Sequence, residues 1–307
     1  MDHDGTYVAR NGDWIAQIMK PTSILFPIGA LLIAMVSIQA GASFAKALFP
    51  AVGAEGTTAL RLGFGALMLT LVLRPWRAKI TKDNWRLLAL YGVVLGLMNL
   101  CYYLSLTRIP LGIAAAIEFT GPLVVAVCTS HRRIDLIWVA LAAGGLLLLL
   151  PLDSSTQALD PIGILYALLA GAGWGTYVII GKRAGNALGS STPALGMIIG
   201  ALVVLPFGIA EAGAGLLSVA LLPTALLVAA LSSAIPFAFE MVALRHLQPQ
   251  TYGTLTSLEP AIGALAGLVI LHEALPFIQW LAIGLIISAS IGTTVTMKRD
   301  PVIPLPD

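Results

Sequence analysis

Apolar runs of membrane-spanning length follow one another along the chain with only short polar breaks between them. A helix that crosses a hydrocarbon core needs about 20 largely apolar residues. Ten segments meet that requirement, with cores at 24–43, 57–73, 87–106, 111–128, 135–151, 161–181, 193–210, 216–234 (continuing toward 244), 251–271 and 276–296. The pattern predicts an all-α polytopic membrane protein whose connections are too short to hold a soluble domain. Residues 1–23 precede the helices and 298–307 follow them, leaving two blocks of five helices, 24–151 and 161–297.

Composition agrees with this pattern. The chain is 58% hydrophobic and 10% charged, with a mean hydropathy of +0.92, whereas soluble domains carry about 25% charged residues. A net charge of +2 says little, but the placement of the 17 Lys and Arg residues sets the orientation. With the N-terminus inside, fourteen of them, among them Arg74, Arg77, Arg132, Arg133, Lys182, Arg183 and Arg245, fall on the cytoplasmic side. Only Lys46 and Arg108 fall outside, and Arg61 lies within a helix. By the positive-inside rule both termini are cytoplasmic. The connection 152–161 carries Asp153 and Asp160 and no base, as an outer loop should. The mixed charges of the first 23 residues and the length of the following apolar run predict an uncleaved first helix rather than a signal peptide. Cys101 and Cys128 lie inside apolar runs, where buried structural thiols are expected.

The two halves resemble each other. Residues 30–46 (ALLIAMVSIQAGASFAK) align with 167–182 (ALLAGAGWGTYVIIGK), and 103–110 with 240–249. An odd number of helices per half inserts the second half upside down. An inverted repeat of this kind points to a transporter with its substrate site near the midplane, among discontinuous helices.

Polar residues inside the apolar runs are the candidates for chemistry. Glu118 lies in IAAAIEFTGPLVV (113–125) and Glu259 in YGTLTSLEPAIG (252–263). A charge at a helix centre costs about 2.5–3.5 kcal/mol on insertion scales, so these carboxylates should face protein or a water-filled interior. Prolines stand beside them. Pro122 leaves the carbonyl of Glu118 without its donor, Pro260 that of Thr256, and Pro236 that of Ser232, so breaks are expected at all three. Glu240, on a face with Ser233 and Pro236, is a third intramembrane acid. These acids either line a polar cavity that holds an ammonium group or a proton, or stay structural by pairing with Arg61 or capping the breaks. Gln39, Asn99, Tyr102, Tyr103, Trp174, Tyr177 and Tyr252 are further candidates for a cavity wall, against packing or interhelical bonding. Lys46 is expected to snorkel to the outer boundary. For Arg61 an ion pair at the outer end is favoured over binding of a substrate carboxylate. No GxxxxGK[ST] loop, HExxH or Cys/His cluster is present, so neither ATP hydrolysis, a metal nor another cofactor is expected. Nothing calls for nucleic acid or an obligate protein partner.

The segments SIQAGASFAKALFP (37–50), TALRLGFG (58–65), PLGIAAAIEFTGPLVVA (110–126), IPFAFEMVAL (235–244) and YGTLTSLEPA (252–261) resemble the EamA branch of the drug/metabolite transporter superfamily, and among its members the bacterial threonine and homoserine exporters. Related ten-helix exporters handle methionine or aromatic amino acids. The resemblance implies a basket-like bundle working by alternating access, with a cavity lined mainly by helices 1, 3, 4, 6, 8 and 9. On those helices fall Gln39, Asn99, Tyr102, Tyr103, Glu118, Trp174, Tyr177, Glu240, Tyr252 and Glu259. It also implies proton coupling, for which Glu118 and Glu259 are the candidates. The expected function is export of small neutral amino acids, threonine and homoserine first. The alternatives are a carrier for other metabolites or drugs and, more remotely, a non-transporting membrane sensor or assembly factor.

Overall fold

The computed structural model describes residues 25–77, 80–81, 84–128, 135–149, 159–188, 191–236, 239, 243 and 255–296. The described chain is a bundle of helices. In order these are α1 (Leu25–Lys46), α2 (Phe49–Leu73), α3 (Trp85–Leu106), α4 (Leu111–Cys128), α5 (Asp135–Leu149), α6 (Pro161–Leu188), α7 (Thr192–Ala212), α8 (Leu222–Ala229, continued as a π-helical turn over Ala230–Ala234), α9 (Glu259–Ile270) and α10 (Phe277–Thr296). Among the described residues, five segments are long and apolar enough to cross a membrane: Leu25–Lys46, Phe49–Leu73, Trp85–Leu106, Pro161–Gly185 and Thr192–Leu217.

Proline marks many helix starts. It stands in the first two positions of α2, α7, α8 and α9, where its missing N–H costs nothing. At the start of α6 the Asp160 carboxylate accepts from the Ile162 N–H at 2.8 Å. α2 begins eight residues before the predicted core at 57 and absorbs a kink at Gly53, whose φ of 67° suits glycine. It ends at Arg74, in the left-handed conformation. The eighth helix starts later than expected, at Leu222, after two 3-10 turns.

Small residues set the closest crossings. A Cβ on Gly96 would lie 2.8 Å from the Gly200 carbonyl oxygen, so α3 and α7 meet backbone to backbone. Gly92 and Gly96 of α3 face Gly196 and Gly200 of α7, a small-residue spacing that suits close helix packing. At the α4–α9 crossing a Cβ on Gly112 would lie 2.4 Å from the Ala264 Cα. The outside of the bundle is apolar, with Leu71, Leu202, Val269 and Phe277 among many large exposed side chains. Buried polar groups collect inside, which is the arrangement that suits lipid.

Candidate functional site

One cavity of about 210 Å³ lies at mid-depth, bounded by α1, α2, α3, α4, α6, α7, α8 and α9. Gln39, Asn99, Tyr102, Tyr103, Glu118, Trp174, Tyr177 and Glu259 all border it, as do Arg61, Ser232, Pro236 and Thr256. Glu240 and Tyr252 lie outside the described residues, as does the side chain of Pro122. Trp174 is held edge-on against Phe119, with ring centroids 5.4 Å apart.

The three proline positions behave differently. At Pro236 the backbone adopts a π turn, in which the Ile235 N–H reaches back to Ala230. The missing N–H at 236 and the shifted register of the π turn together disturb the ladder at the Leu231 and Ser232 carbonyls. Other helices supply replacements. The Ser37 hydroxyl of α1 donates to the Leu231 carbonyl at 2.7 Å, and the Arg61 guanidinium of α2 donates through Nη2 to the Ser232 carbonyl at 3.1 Å. Before Pro260 the chain turns at Ser257 and Leu258, and α9 restarts at Glu259. That carboxylate therefore occupies a first helical turn, where the helix dipole favours an anion, and it accepts from Gln39 Nε2 at 3.3 Å. Pro122 corrects an expectation, because α4 runs on through it to Cys128. The carbonyl that this proline leaves free, that of Glu118, faces Gly171 of α6: a Cβ there would lie 2.7 Å from it.

Arg61 overturns the favoured reading of an ion pair at the outer end. Its Nη1 donates to the Asn99 Oδ1, Nη2 to the Ser232 carbonyl, and the guanidinium sits 5.2 Å from the centroid of the Tyr103 ring. Asn99 is oriented by its own Nδ2, which donates to the Leu95 carbonyl at 2.8 Å. Among the described residues no carboxylate pairs with Arg61, and its buried Nε has no partner. Glu118, across the same cavity, accepts no hydrogen bond from a described residue.

Lys46 also departs from expectation. Rather than snorkelling, its Nζ donates to Glu273 Oε1 at 2.6 Å, while Glu273 Oε2 accepts from the Leu111 N–H at 2.9 Å. One carboxylate thus ties the end of α1, the start of α4 and the α9–α10 connection. Gly267 makes room for it: a Cβ there would lie 2.7 Å from Glu273 Oε2. Sequence reasoning passed over Glu273 because an acid in a short connection ordinarily reads as solvated. Beneath this tie Ala45, Leu48, Val52, Leu106, Ile109, Leu111 and Ile113 form one buried cluster that seals the Lys46 end of the bundle. The cavity instead extends toward the Leu25 end, as far as Leu31 on α1 and Met197 on α7. There Tyr177 stacks on Tyr91, with ring centroids 5.0 Å apart and the Tyr91 hydroxyl donating to that of Tyr177 at 2.9 Å.

Losing the acceptor for Lys46 and the Leu111 N–H should cost about 1–3 kcal/mol. Glu273→Ala is therefore expected to loosen the sealed end. A cysteine placed at Leu48, 2% exposed in this structure, should react with a membrane-impermeant thiol reagent several-fold faster in that background than with Glu273 intact. Equal labelling in both backgrounds would show that the tie does not hold the seal. Arg108 and Asp160 form a second pair at this end, 2.7 Å apart and largely exposed. The hydrogen bond from Arg108 holds the Asp160 carboxyl below its ordinary range, but an exposed pair of this kind adds little to stability.

A polar cavity at mid-depth in an apolar helical bundle, sealed at one end, defines a membrane transport protein. The sequence profile of the EamA-like transporter family matches residues 161–295. Over 282 residues the chain is 48% identical to the threonine/homoserine exporter RhtA of Escherichia coli (strain K12), covering 92% of this chain and 96% of that protein. It is 49% identical over 278 residues to the threonine/homoserine exporter RhtA of Salmonella typhimurium (strain LT2), with coverage of 91% and 94%. A solved structure titled "Crystal structure of protein" superposes with a TM-score of 0.58 at 17% identity, over 87% of this chain and 96% of that one, a likeness of fold alone. The chain belongs to the EamA-like transporter family of the drug/metabolite transporter superfamily. It is a multi-pass membrane transporter and not an enzyme.

Proposed function

We propose that this protein exports small neutral amino acids, with threonine and homoserine first, across the bacterial inner membrane by alternating access. The observation that carries the reading is the meeting of Glu118 and Glu259, from opposite halves of the chain, at one cavity. Carboxylates so placed suit the ammonium group of an amino acid. Gln39, Asn99, Tyr102, Tyr103, Trp174 and Tyr177 complete the wall, and Glu240 and Tyr252 belong to the same proposed site by their place in the sequence.

The architecture proposed is ten helices in two inverted repeats of five. The packing supports it, since the principal partners map onto one another when each helix is advanced by five. α2 packs on α7, α4 on α9 and α5 on α10; α1 meets α9 as α6 meets α4, and α1 meets α8 as α6 meets α3. With both termini cytoplasmic, the Lys46 end faces outward and is closed, and the cavity reaches toward the cytoplasm. This is the state that would load substrate for export.

The test is counterflow of labelled threonine in vesicles containing the purified protein. Homoserine and other neutral amino acids should compete, whereas sugars and organic cations should not. Absence of counterflow would overturn the assignment.

A further inference from the structure

The reading of an amino-acid carrier leaves one end of the substrate without a place, because Glu118 and Glu259 suit only its ammonium group. We propose that Arg61, held by Asn99, Ser232 and Tyr103, is the anchor for the substrate α-carboxylate, and that a carboxylate bound there displaces the Ser232 carbonyl. The proposal rests on the amino-acid reading above and adds to it the residue that selects for a carboxylate.

The guanidinium of Arg61 is short of acceptors. An arginine carries five N–H donors and keeps its proton throughout, so its charge in a membrane interior must be met by acceptors. The protein supplies Arg61 with an amide oxygen and a backbone carbonyl, both neutral, and the face of Tyr103. The buried Nε is left without an acceptor among the described residues. Nε and an adjacent Nη form the fork that takes both oxygens of a carboxylate, and such charge-assisted bonds are roughly twice as strong as neutral ones.

Across the cavity Glu118 presents the complementary deficit, a carboxyl group with no donor among the described residues. No ion pair joins it to Arg61. A guanidinium and a carboxyl group thus border one cavity without touching, and a ligand carrying both an ammonium and a carboxylate joins them. A cation meets only one of the two, and a neutral solute neither.

The Ser232 carbonyl has a place in this scheme. It is free because Pro236 has no N–H, and Arg61 is its donor. A substrate carboxylate is the stronger acceptor, so occupancy loosens the tie between α2 and the π turn of α8. Substrate binding is thereby linked to the segment whose backbone is least regular.

Competition against labelled threonine counterflow tests this, comparing unlabelled threonine with threoninamide and threoninol, which keep the ammonium and hydroxyl groups and lack the carboxylate. In the unmodified protein the two analogues should compete at least tenfold more weakly, about 1.4 kcal/mol. Arg61→Lys and Arg61→Gln should weaken threonine by a similar factor and bring the threonine-to-threoninamide ratio toward one. Analogues that compete within twofold of threonine in the unmodified protein would overturn the proposal, even if the Arg61 variants fail to fold. Threonine affinity unchanged in Arg61→Gln would overturn it too, while leaving the amino-acid reading intact. Failure of the underlying reading looks different: no threonine counterflow in the unmodified protein, which removes both.

Discussion

Gly121→Ala is expected to abolish recovery of folded, monodisperse protein. The added Cβ would lie 1.8 Å from the Gly171 carbonyl oxygen and 2.3 Å from its carbon, where an ordinary C···O contact is about 3.3 Å. Helices α4 and α6 would have to separate by more than an ångström. The crossing offers no slack, because a Cβ on Gly171 would itself meet the Glu118 carbonyl at 2.7 Å and one on Gly175 the Gly121 carbonyl at 3.1 Å. Overpacking in a core costs about 1–3 kcal/mol and occasionally more. Backbone pressed on backbone belongs at the upper end, since no side chain can rotate away. The control is Gly63→Ala, which meets nothing within 4 Å and should gain slightly from the better helix propensity of alanine. Size-exclusion profiles before and after heating separate the two. A Gly121→Ala protein as heat-resistant as the Gly63→Ala one would show that the crossing is looser than these contacts indicate.

The second large effect is expected at Glu118. Glu118→Gln keeps the shape of the side chain and removes its charge and its exchangeable proton. If Glu118 carries the coupled proton, an imposed pH gradient of one unit supports about tenfold threonine accumulation per proton in the unmodified protein and none in the variant. Exchange of labelled for unlabelled threonine persists at weakened affinity, because it requires no proton movement and Glu259 still faces the cavity to meet the ammonium group. Loss of both activities in a well-folded variant would show that the ammonium contact at Glu118 is indispensable and leave the proton role with another group. Undiminished accumulation would move the proton role to Glu259, which differs in having a partner, Gln39, and a place in a first helical turn.

Much of this site was legible in the chain because lipid punishes polar groups without a use. Asn99, Glu118 and Glu259 stand out in apolar runs for that reason, and the structure brings them to one cavity. Pro236 was equally legible, since a missing N–H has a computable consequence, and the freed Ser232 carbonyl is indeed met by another helix. Pro122 shows the limit of the same rule. A proline determines which carbonyl loses its donor, but neighbouring packing decides whether the helix ends there, and here it does not. Arg61 and Lys46 were misjudged because a long basic side chain reaches acceptors far away in sequence. Their partners, Asn99, Ser232 and Glu273, are 38, 171 and 227 positions distant.

By itself the sequence determined a membrane bundle with buried acids and freed carbonyls at known positions, because hydropathy, helical spacing and proline chemistry act locally. Only the tertiary structure decided which of those groups meet. It left Arg61 and Glu118 apart across a cavity and sealed the Lys46 end through Glu273, since which polar groups satisfy one another inside a bundle depends on how its helices cross.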